Sequence, residues 1–179
     1  DIDGNGIINE ADKTYLGSPI PWLIGGLDFG LVWKGLDFSL TLQGQVGNKV
    51  LNAKRMNRDV FTDGNYDLNF YQNAWRPSRL SDTYPSAAAY NSAFVQQANS
   101  FFVEDASYFR IQNVQVGYTF SNLKGISSLR VSLTAQRPYT YFRYNGFTPE
   151  VSGSPIASGI DTSTYPLQST YTLGLKISF

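Results

Sequence analysis

Period-two alternation of apolar and polar side chains is the feature that most constrains the fold of this chain. Five segments show it, and in each of them apolar residues occupy every second position. Because the side chains of a β-strand point alternately to its two faces, this pattern predicts half-buried strands with one apolar and one polar face. The apolar positions are Leu23, Gly25, Leu27, Phe29, Leu31 and Trp33; Leu36, Phe38, Leu40, Leu42 and Val46; Val114, Val116, Tyr118 and Phe120; Leu129, Val131, Leu133 and Ala135; and Tyr171, Leu173, Leu175, Ile177 and Phe179.

Two irregularities are expected within these strands. The apolar residues before Val114 are out of phase with those after it, which predicts a β-bulge near Gln112–Asn113. Pro138 has no backbone N–H to donate, so the fourth strand is expected to fray or bulge at Arg137–Pro138. No segment has a persuasive helical period, although the Ala- and Gln-rich stretch 86–99 favours a short helix in a loop.

The connections between the predicted strands alternate in length. A turn at Lys34–Gly35 joins the first two strands, and a short link, 121–127, joins the third and fourth. By contrast, 47–102 and 143–166 are long, and a polar segment, 1–21, precedes the first strand. Since antiparallel strands reverse direction each time, all long connections fall at one end and all short turns at the other. Outer-membrane barrels have this arrangement, with long extracellular loops and short periplasmic turns.

The composition is compatible with a membrane barrel and argues against several other classes. No run of about 18 apolar residues predicts a transmembrane helix, and alternating strands keep mean hydropathy moderate, here −0.24. The net charge of zero gives no electrostatic reason to propose nucleic acid as a partner. Without Cys or His, the chain has no disulfide, thiol nucleophile or Ser-His-Asp triad, so we predict that it is not an enzyme.

These patterns predict an all-β fold: a transmembrane antiparallel β-barrel to which this chain supplies about five C-terminal strands. Five antiparallel strands cannot close such a barrel, because single-chain bacterial barrels have an even number of strands, at least about eight. The chain also starts at Asp1 without Met, so we expect the remaining strands upstream and the C-terminus on the periplasmic side. The predicted segments are a calcium-type extracellular loop (1–21), a hairpin (22–47), a long extracellular loop (48–102), a hairpin (103–142), an extracellular loop (143–166) and the terminal strand (167–179).

The N-terminal segment has the spacing of a calcium-binding loop. Asp1, Asp3 and Asn5 offer side-chain oxygens, Ile7 a backbone carbonyl and Asp12 a carboxylate, at positions that wrap one hard cation in such loops. An EF-hand has Glu at the twelfth position, and no flanking helices are evident here. We expect a structural Ca²⁺ that stiffens an extracellular loop, and an Asx-rich turn without metal is the alternative.

The long loop 48–102 is rich in aromatic side chains set among Asn, Asp and Arg. Aromatic faces beside hydrogen-bonding groups suit the binding of sugars or peptides, but the same rings also serve to pack a loop on itself or against a lid protein. Tyr71, Trp75 and Tyr84 are the candidates for contact with substrate or lid, and Trp75–Pro77 is the expected compact node. The aromatic residues of this loop include Phe61, Tyr66, Phe70, Tyr71, Trp75, Tyr84 and Tyr90.

Two further groups of side chains invite functional interpretation. Glu104, Asp105 and Glu150 could be compared with the two acids of a glycosidase, but their loop positions favour solvated charges. Aromatic residues near the predicted strand ends favour girdles at the two membrane interfaces, with ordinary core or loop packing as the alternative. These aromatic residues are Trp22, Trp33, Tyr118, Phe120, Tyr139, Tyr141, Phe142 and Phe179.

Three stretches resemble the C-terminal region of SusC/RagA-type TonB-dependent transporters. Together they span almost the whole chain in the order that the family has. The chain departs from the family at Arg137–Pro138 and at Gln168–Ser169, where Asn-Leu and Pro-Arg are usual. The matching stretches are Asp1–Asp12 with Leu16–Pro19; Phe102–Tyr118; and Ser128–Val131 with Tyr144–Val151, Gly159–Asp161 and Tyr171–Phe179.

The resemblance implies a barrel of about 22 strands with an N-terminal plug in its lumen. It also implies active import of oligosaccharides or peptides across the bacterial outer membrane, driven through TonB, with a SusD-like surface lipoprotein as a lid and outer-membrane lipids around the barrel. The plug and the TonB-contacting segment are not part of this sequence. A passive porin-like barrel and a soluble β-sandwich binding module with a calcium loop are the alternatives.

Overall fold

A five-stranded antiparallel sheet dominates the structure, a computed structural model that describes residues 1–7, 9–58, 68–89, 98–151 and 158–179. The strands of this sheet lie in the order β1-β2-β5-β6-β7, and β3 and β4 form a separate two-stranded sheet. The strands are β1 (Leu23–Trp33), β2 (Leu36–Val46), β3 (Lys49–Leu51), β4 (Val103–Asp105), β5 (Tyr108–Leu123), β6 (Ile126–Phe142) and β7 (Thr170–Ser178).

The described part of the connection between β2 and β5 contains three short helices: α1 (Ala53–Arg58), α2 (Leu68–Asn73) and α3 (Ala87–Ala89). The sequence predicts no helix at the positions of α1 and α2, and that prediction is wrong. Each is only six residues long, less than two turns, so neither repeats a helical period often enough to be recognised. Among the residues that the structure covers, no helix is long and apolar enough to cross a membrane.

The strand register gathers the alternating apolar residues on one side of the sheet, termed the apolar face. Leu31 lies opposite Phe38, Phe38 opposite Val116, Val116 opposite Leu133, and Leu133 opposite Leu173. This face is exposed, and Leu173 retains 70% of its accessible area. A soluble β-sandwich would bury such a face under a second sheet, and the described part of the chain has none there. The sandwich alternative is therefore not supported.

Tight turns join β1 to β2 and β5 to β6. The predicted turn at Lys34–Gly35 is confirmed, and positive φ angles of 46° and 85° are those of a type I′ hairpin turn. Gly35 is required there, since a Cβ would lie 2.8 Å from the carbonyl oxygen of Thr119. The second turn is Lys124–Gly125, which is shorter than the predicted link 121–127 because both strands extend into it.

Both predicted irregularities are β-bulges. Relative to β2, strand β5 has one extra residue, Gln112, which confirms the bulge predicted there. On the other side of β5, the pairing of β6 skips from Gln136 to Tyr139 and leaves Arg137–Pro138 outside the ladder. Arg137 has a φ of 49°, in the left-handed region that is uncommon for residues other than glycine. The bulges bring the residues on either side back onto the same face.

Long and short connections meet opposite edges of the sheet, as their lengths predict. The two tight turns mark the turn edge, and Ser178 pairs with Ser128 there, so the last residue, Phe179, lies at this edge too. The described parts of 1–21, of 47–107 and of 143–169 lie at the other edge, the loop edge.

Aromatic side chains form a band near each edge of the apolar face, and the residues between the bands are mostly aliphatic, with Phe29, Phe38 and Tyr171 as exceptions. Trp33, Tyr118 and Phe120 lie near the turn edge, and Tyr139 and Tyr141 near the loop edge. These five are placed as expected for girdles. The prediction of a girdle position is wrong for Phe142. This residue lies opposite Tyr108 and packs against a loop cluster, because the strand alternation points its side chain away from the apolar face.

The hydrophobic core lies at the loop edge rather than on the sheet. One cluster combines Phe70, Ala74 and Phe102, and a second combines Val50, Ala106 and Tyr144. Tyr108 and Pro149 are the other buried apolar side chains among the residues described. The connections thus fold onto one another and form a packed cap beside the strands.

Candidate functional site

The sheet face opposite the apolar face, termed the polar face, is lined mostly by neutral hydroxyl and amide groups. Lys176 also lies on it, opposite Arg130. Asp28 and Arg110 lie on this face as well, and one charged pair on it is Asp37 and Arg130, whose Oδ1 and Nε lie 3.1 Å apart. Gly117 lies between them, and a Cβ there would come within 2.6 Å of the Asp37 carboxylate, so glycine leaves room for an ion pair that crosses β5. The neutral residues of this face include Ser39, Thr41, Gln43, Asn113, Gln115, Ser132, Thr134, Gln136 and Thr172.

Glu104 in β4 is the centre of a hydrogen-bonded node in the loop cap. It accepts from Arg55 at 3.1 Å, from the Asn52 amide at 3.2 Å and from the backbone N–H of Asn145 at 2.6 Å. The side chains of Arg55 and Glu104 are only 10% and 13% exposed. Glu104 is therefore not the solvated loop charge that its position in the sequence predicts. The node joins α1, β4 and the connection that follows β6.

Glu150 is held over the polar face by two strand residues. Tyr108 donates its hydroxyl at 2.7 Å, and the buried guanidinium of Arg110 donates to the other carboxylate oxygen. Asp105 is likewise engaged, with Lys49 at 3.6 Å. Each of the three acids considered for a glycosidase pair is thus bound to its own cation. The arrangement favours a structural role for all of them.

The connection after β6 is also tied at Asp161. The Tyr144 hydroxyl donates to this carboxylate at 2.6 Å and the Thr164 N–H donates at 2.8 Å. Burial by itself raises the pKa of the Asp161 carboxyl, but these hydrogen bonds outweigh it and leave the pKa below its ordinary value of 3.8. A lowered pKa means that the stabilisation is complete above the ordinary value and is lost as the pH falls through the folded-state pKa.

The predicted metal-binding segment does bring its acids together. Asp1, Asp3 and Asp12 each offer a carboxylate oxygen within 4.8 Å of the others. Backbone N–H groups curl the loop around them, from Gly6 to Asp1 at 2.9 Å and from Ile2 to Asp12 at 2.6 Å. The hydrogen bonds from the backbone of Asn9 and Ile2 lower the pKa of Asp12, which keeps it ionised.

Asn5 and Ile7 complete the same loop. The Asn5 side-chain oxygen accepts from the Ile7 N–H at 2.7 Å, and its amide donates to Asp3 at 2.8 Å. The Ile7 carbonyl accepts from the Asn9 side chain at 3.1 Å. An all-oxygen set with three carboxylates fits a hard cation such as Ca²⁺.

The three loop aromatics singled out from the sequence differ in exposure. Tyr71 and Trp75 are exposed, and Arg76 covers the Tyr71 ring at 4.8 Å. Tyr84 packs edge-on against Phe101 at 5.4 Å, in the first loop cluster. Their contact with substrate or lid stays a prediction. Of the other aromatics in that loop, Phe70 is buried in the same cluster, and Phe61, Tyr66 and Tyr90 lie outside the described residues.

Sequence reasoning missed the arginine–carboxylate pairs that hold the cap together. Arg55 and Glu104 are 49 residues apart, and Arg110 and Glu150 are 40 apart. No local spacing rule links residues at such separations. The one signal was the stretch 144–151, which belongs to the family resemblance but suggests no role by itself.

No family model matches the chain. The chain is similar to the TonB-dependent receptor P26 of Formosa agariphila, at 34% identity over 191 residues, and to the TonB-dependent receptor SusC of Bacteroides thetaiotaomicron, at 33% over 187 residues. Both alignments include 100% of this chain, but only 19% and 17% of the relatives. The chain therefore spans about a fifth of the proteins that it resembles.

The fold is similar to that of solved transporters. The RagAB peptide importer in the closed-closed state matches 100% of this chain and 20% of its own, with a TM-score of 0.76 and 26% identity. The RagAB peptide transporter matches 91% of this chain and 18% of its own, with a TM-score of 0.71 and 26% identity. With relatives that are receptors and transporters of the outer membrane, this chain belongs to the SusC/RagA-type TonB-dependent transporters and forms a segment of their transmembrane antiparallel β-barrel.

Proposed function

We propose that this chain is part of the wall of an active importer that carries oligosaccharides or peptides across the outer membrane with energy supplied through TonB. The observation that carries the proposal is the two-faced sheet, which offers one apolar face to lipid and one polar face to a lumen, with its loops gathered at one edge. Import of this kind needs no covalent step, so we infer that the protein is not an enzyme.

The two edges of the sheet imply an orientation in the membrane. The loop edge, with its packed cap, faces the exterior, and the turn edge with Phe179 faces the periplasm. A SusD-like lipoprotein covers the loop edge as a lid, and the exposed rings of Tyr71 and Trp75 offer it or the cargo an apolar contact. Relatives described as SusC and as the RagAB importer support this assembly.

Dependence on TonB tests the proposed function directly. Cells that carry the full-length transporter are expected to take up radiolabelled oligosaccharides or peptides, and this uptake should fall to background in cells that lack TonB. Immunoblots of the outer-membrane fraction verify that the two strains contain equal amounts of the transporter. Uptake that persists at the same rate without TonB would contradict active import and indicate a passive porin.

We further propose that Asp1, Asp3, Asn5, Ile7 and Asp12 bind a structural calcium ion that stiffens the loop before β1. The convergence of three carboxylates within 4.8 Å supports it, because such a cluster of negative charge is relieved by a cation. The ion would have no catalytic role here, and its contribution would be to order the loop.

In the full-length protein, Asp3→Asn and Asp12→Asn are each expected to weaken calcium binding at least about tenfold, since each removes one of the charged ligands. Isothermal titration of calcium into chelator-treated protein measures this, with Glu10→Gln as a control. Glu10 is an exposed acid of the same segment that pairs with Lys13 instead. Equal calcium affinity in all variants, or none in the unaltered protein, would show that the segment is an Asx-rich turn.

A further inference from the structure

A small β-hairpin after α2 holds two arginines side by side. Arg76 and Arg79 form an antiparallel bridge, in which the backbone N–H of each donates to the carbonyl of the other at 2.9 Å. Pro77 is the first residue of the two-residue turn between them, and its ring fixes φ there. Residues directly opposite each other in an antiparallel pair project their side chains to the same side. The hairpin therefore presents two guanidinium groups together.

The two guanidinium groups converge on one backbone oxygen. Nη2 of Arg76 donates to the Tyr71 carbonyl at 2.9 Å, and Nη2 of Arg79 donates to the same oxygen at 3.4 Å. Arg79 also donates to the Ala74 carbonyl at 3.3 Å. A single cation is enough to bind a carbonyl near the end of a short helix. Holding a second one within a few ångströms of the first adds repulsion between like charges.

No carboxylate neutralises this arginine pair within the part of the chain that the structure describes. Neither Arg76 nor Arg79 is in an ion pair there. Asp82 is the nearest acid along the chain, but it accepts from the Thr83 hydroxyl at 2.9 Å. The two arginines donate to carbonyls through Nη2, which leaves Nε and Nη1 of each guanidinium for another acceptor. A carboxylate matches the forked donors of arginine and neutralises their charge.

The residues around the arginine pair are those of a protein–protein contact. The Arg76 guanidinium lies 4.8 Å from the centroid of the Tyr71 ring, and Trp75 directly precedes it. Tyrosine, tryptophan and arginine are the residues that dominate the binding energy of protein interfaces. The Trp75 N–H donates to the Pro85 carbonyl at 3.2 Å, so the cluster rests on an ordered base. Ordered side chains lose less conformational entropy on binding.

We propose that Arg76 and Arg79 together bind an acidic side chain of the SusD-like lid, with Tyr71 and Trp75 packed beside this ion pair. The inference rests on the proposed function, in which such a lid covers the loop edge. It names the chemistry of the contact: a carboxylate of the lid with apolar neighbours.

Zero-length cross-linking tests the contact in the complex of the full-length transporter with its SusD-like lipoprotein in nanodiscs. Arg79→Lys keeps the positive charge and introduces an amine, which a carbodiimide joins only to a carboxylate that touches it. Mass spectrometry should find position 79 linked to an Asp or Glu of the lid. Arg137→Lys is the matched control and should give no such product, since Arg137 is a single arginine that donates to a backbone carbonyl, that of Gln168 at 3.0 Å. A link from position 79 to the transporter itself, or no link, would overturn the proposal.

A double variant, Arg76→Gln/Arg79→Gln, separates binding of the lid from stability of the hairpin. Glutamine keeps an N–H donor for the Tyr71 carbonyl but carries no charge. The Kd of the lid without its lipid anchor, measured by biolayer interferometry on transporter nanodiscs, should rise about tenfold or more. High salt should reduce the difference, and Arg137→Gln should leave the Kd unchanged. Hydrogen exchange of the Trp75 N–H should stay as slow as in the unaltered protein.

An unchanged Kd in the double variant, or a weaker Kd accompanied by faster exchange at Trp75, would mean that the arginines only support α2, and the proposal would be wrong. Uptake in cells with and without TonB separates this result from a failure of the proposed function. If uptake depends on TonB while the Kd of the lid is unchanged in the double variant, the arginine site is wrong and active import stands. Uptake that persists without TonB contradicts active import instead.

Discussion

Replacement of Leu173 by arginine is expected to destabilise the folded barrel in a bilayer by about 2–4 kcal/mol, because the charge enters the hydrocarbon layer. Leu173 lies opposite Leu133 on the apolar face, between the two aromatic bands, and 70% of its area is exposed. The full-length protein would be folded into phospholipid vesicles and unfolded with guanidinium chloride. Tryptophan fluorescence follows the transition and yields the free energy of unfolding.

Thr172→Arg is the matched control for this substitution. Thr172 is the preceding residue of β7 and lies opposite Thr134 on the polar face, where water solvates a guanidinium. Its replacement should change the free energy of unfolding by about 0.5 kcal/mol or less. If the two arginines cost the same, the two faces have similar surroundings, and the apolar face does not meet lipid.

Replacement of Glu104 by leucine should destabilise the loop cap by about 3–5 kcal/mol, since it removes the carboxylate that neutralises a buried guanidinium. Arg55 is only 8% exposed, so water cannot take over that role without opening the cap. The backbone N–H of Asn52 donates to the Phe102 carbonyl at 2.8 Å, and its hydrogen exchange reports the free energy of this opening.

A double-mutant cycle distinguishes an ion-pair effect from a general packing defect. The double variant Arg55→Leu/Glu104→Leu should lose less stability than Glu104→Leu alone, because no buried charge is left behind. The exposed pair of Glu10 and Lys13, whose side chains are 80% and 72% exposed, is the comparison, and Glu10→Gln should cost about 0.5 kcal/mol or less. Simple additivity of the Arg55 and Glu104 losses would contradict the buried pair.

Much of the fold could be predicted from the sequence because its determinants are local. The turn at Lys34–Gly35 depends on two adjacent residues, and the bulge at Gln112 on a phase change within one strand. The lengths of the connections then predict which ends of the strands share an edge. Helices α1 and α2 could not be predicted, because each is too short to show a helical period in the sequence.

Among the candidate sites, too, those with local determinants could be predicted from the sequence and the others could not. The calcium-type loop could be proposed from spacing, since Asp1, Asp3 and Asp12 lie within one short segment. The node at Glu104 could not, because it depends on how separate connections meet above the sheet. Nothing near Glu104 in the chain indicates that Arg55 will neutralise it.

The sequence by itself determined which side chains share a face, because a strand turns each successive residue to the opposite side and this holds wherever the strand is placed. The alternation therefore places Leu173 and Thr172 in different surroundings, whatever contacts the strand makes. Only the tertiary structure decided which loop charges lose their water and which aromatic rings pack in the cap. Burial depends on how all the connections pack together. The side chains that meet there come from positions too far apart along the chain for any local pattern to pair them.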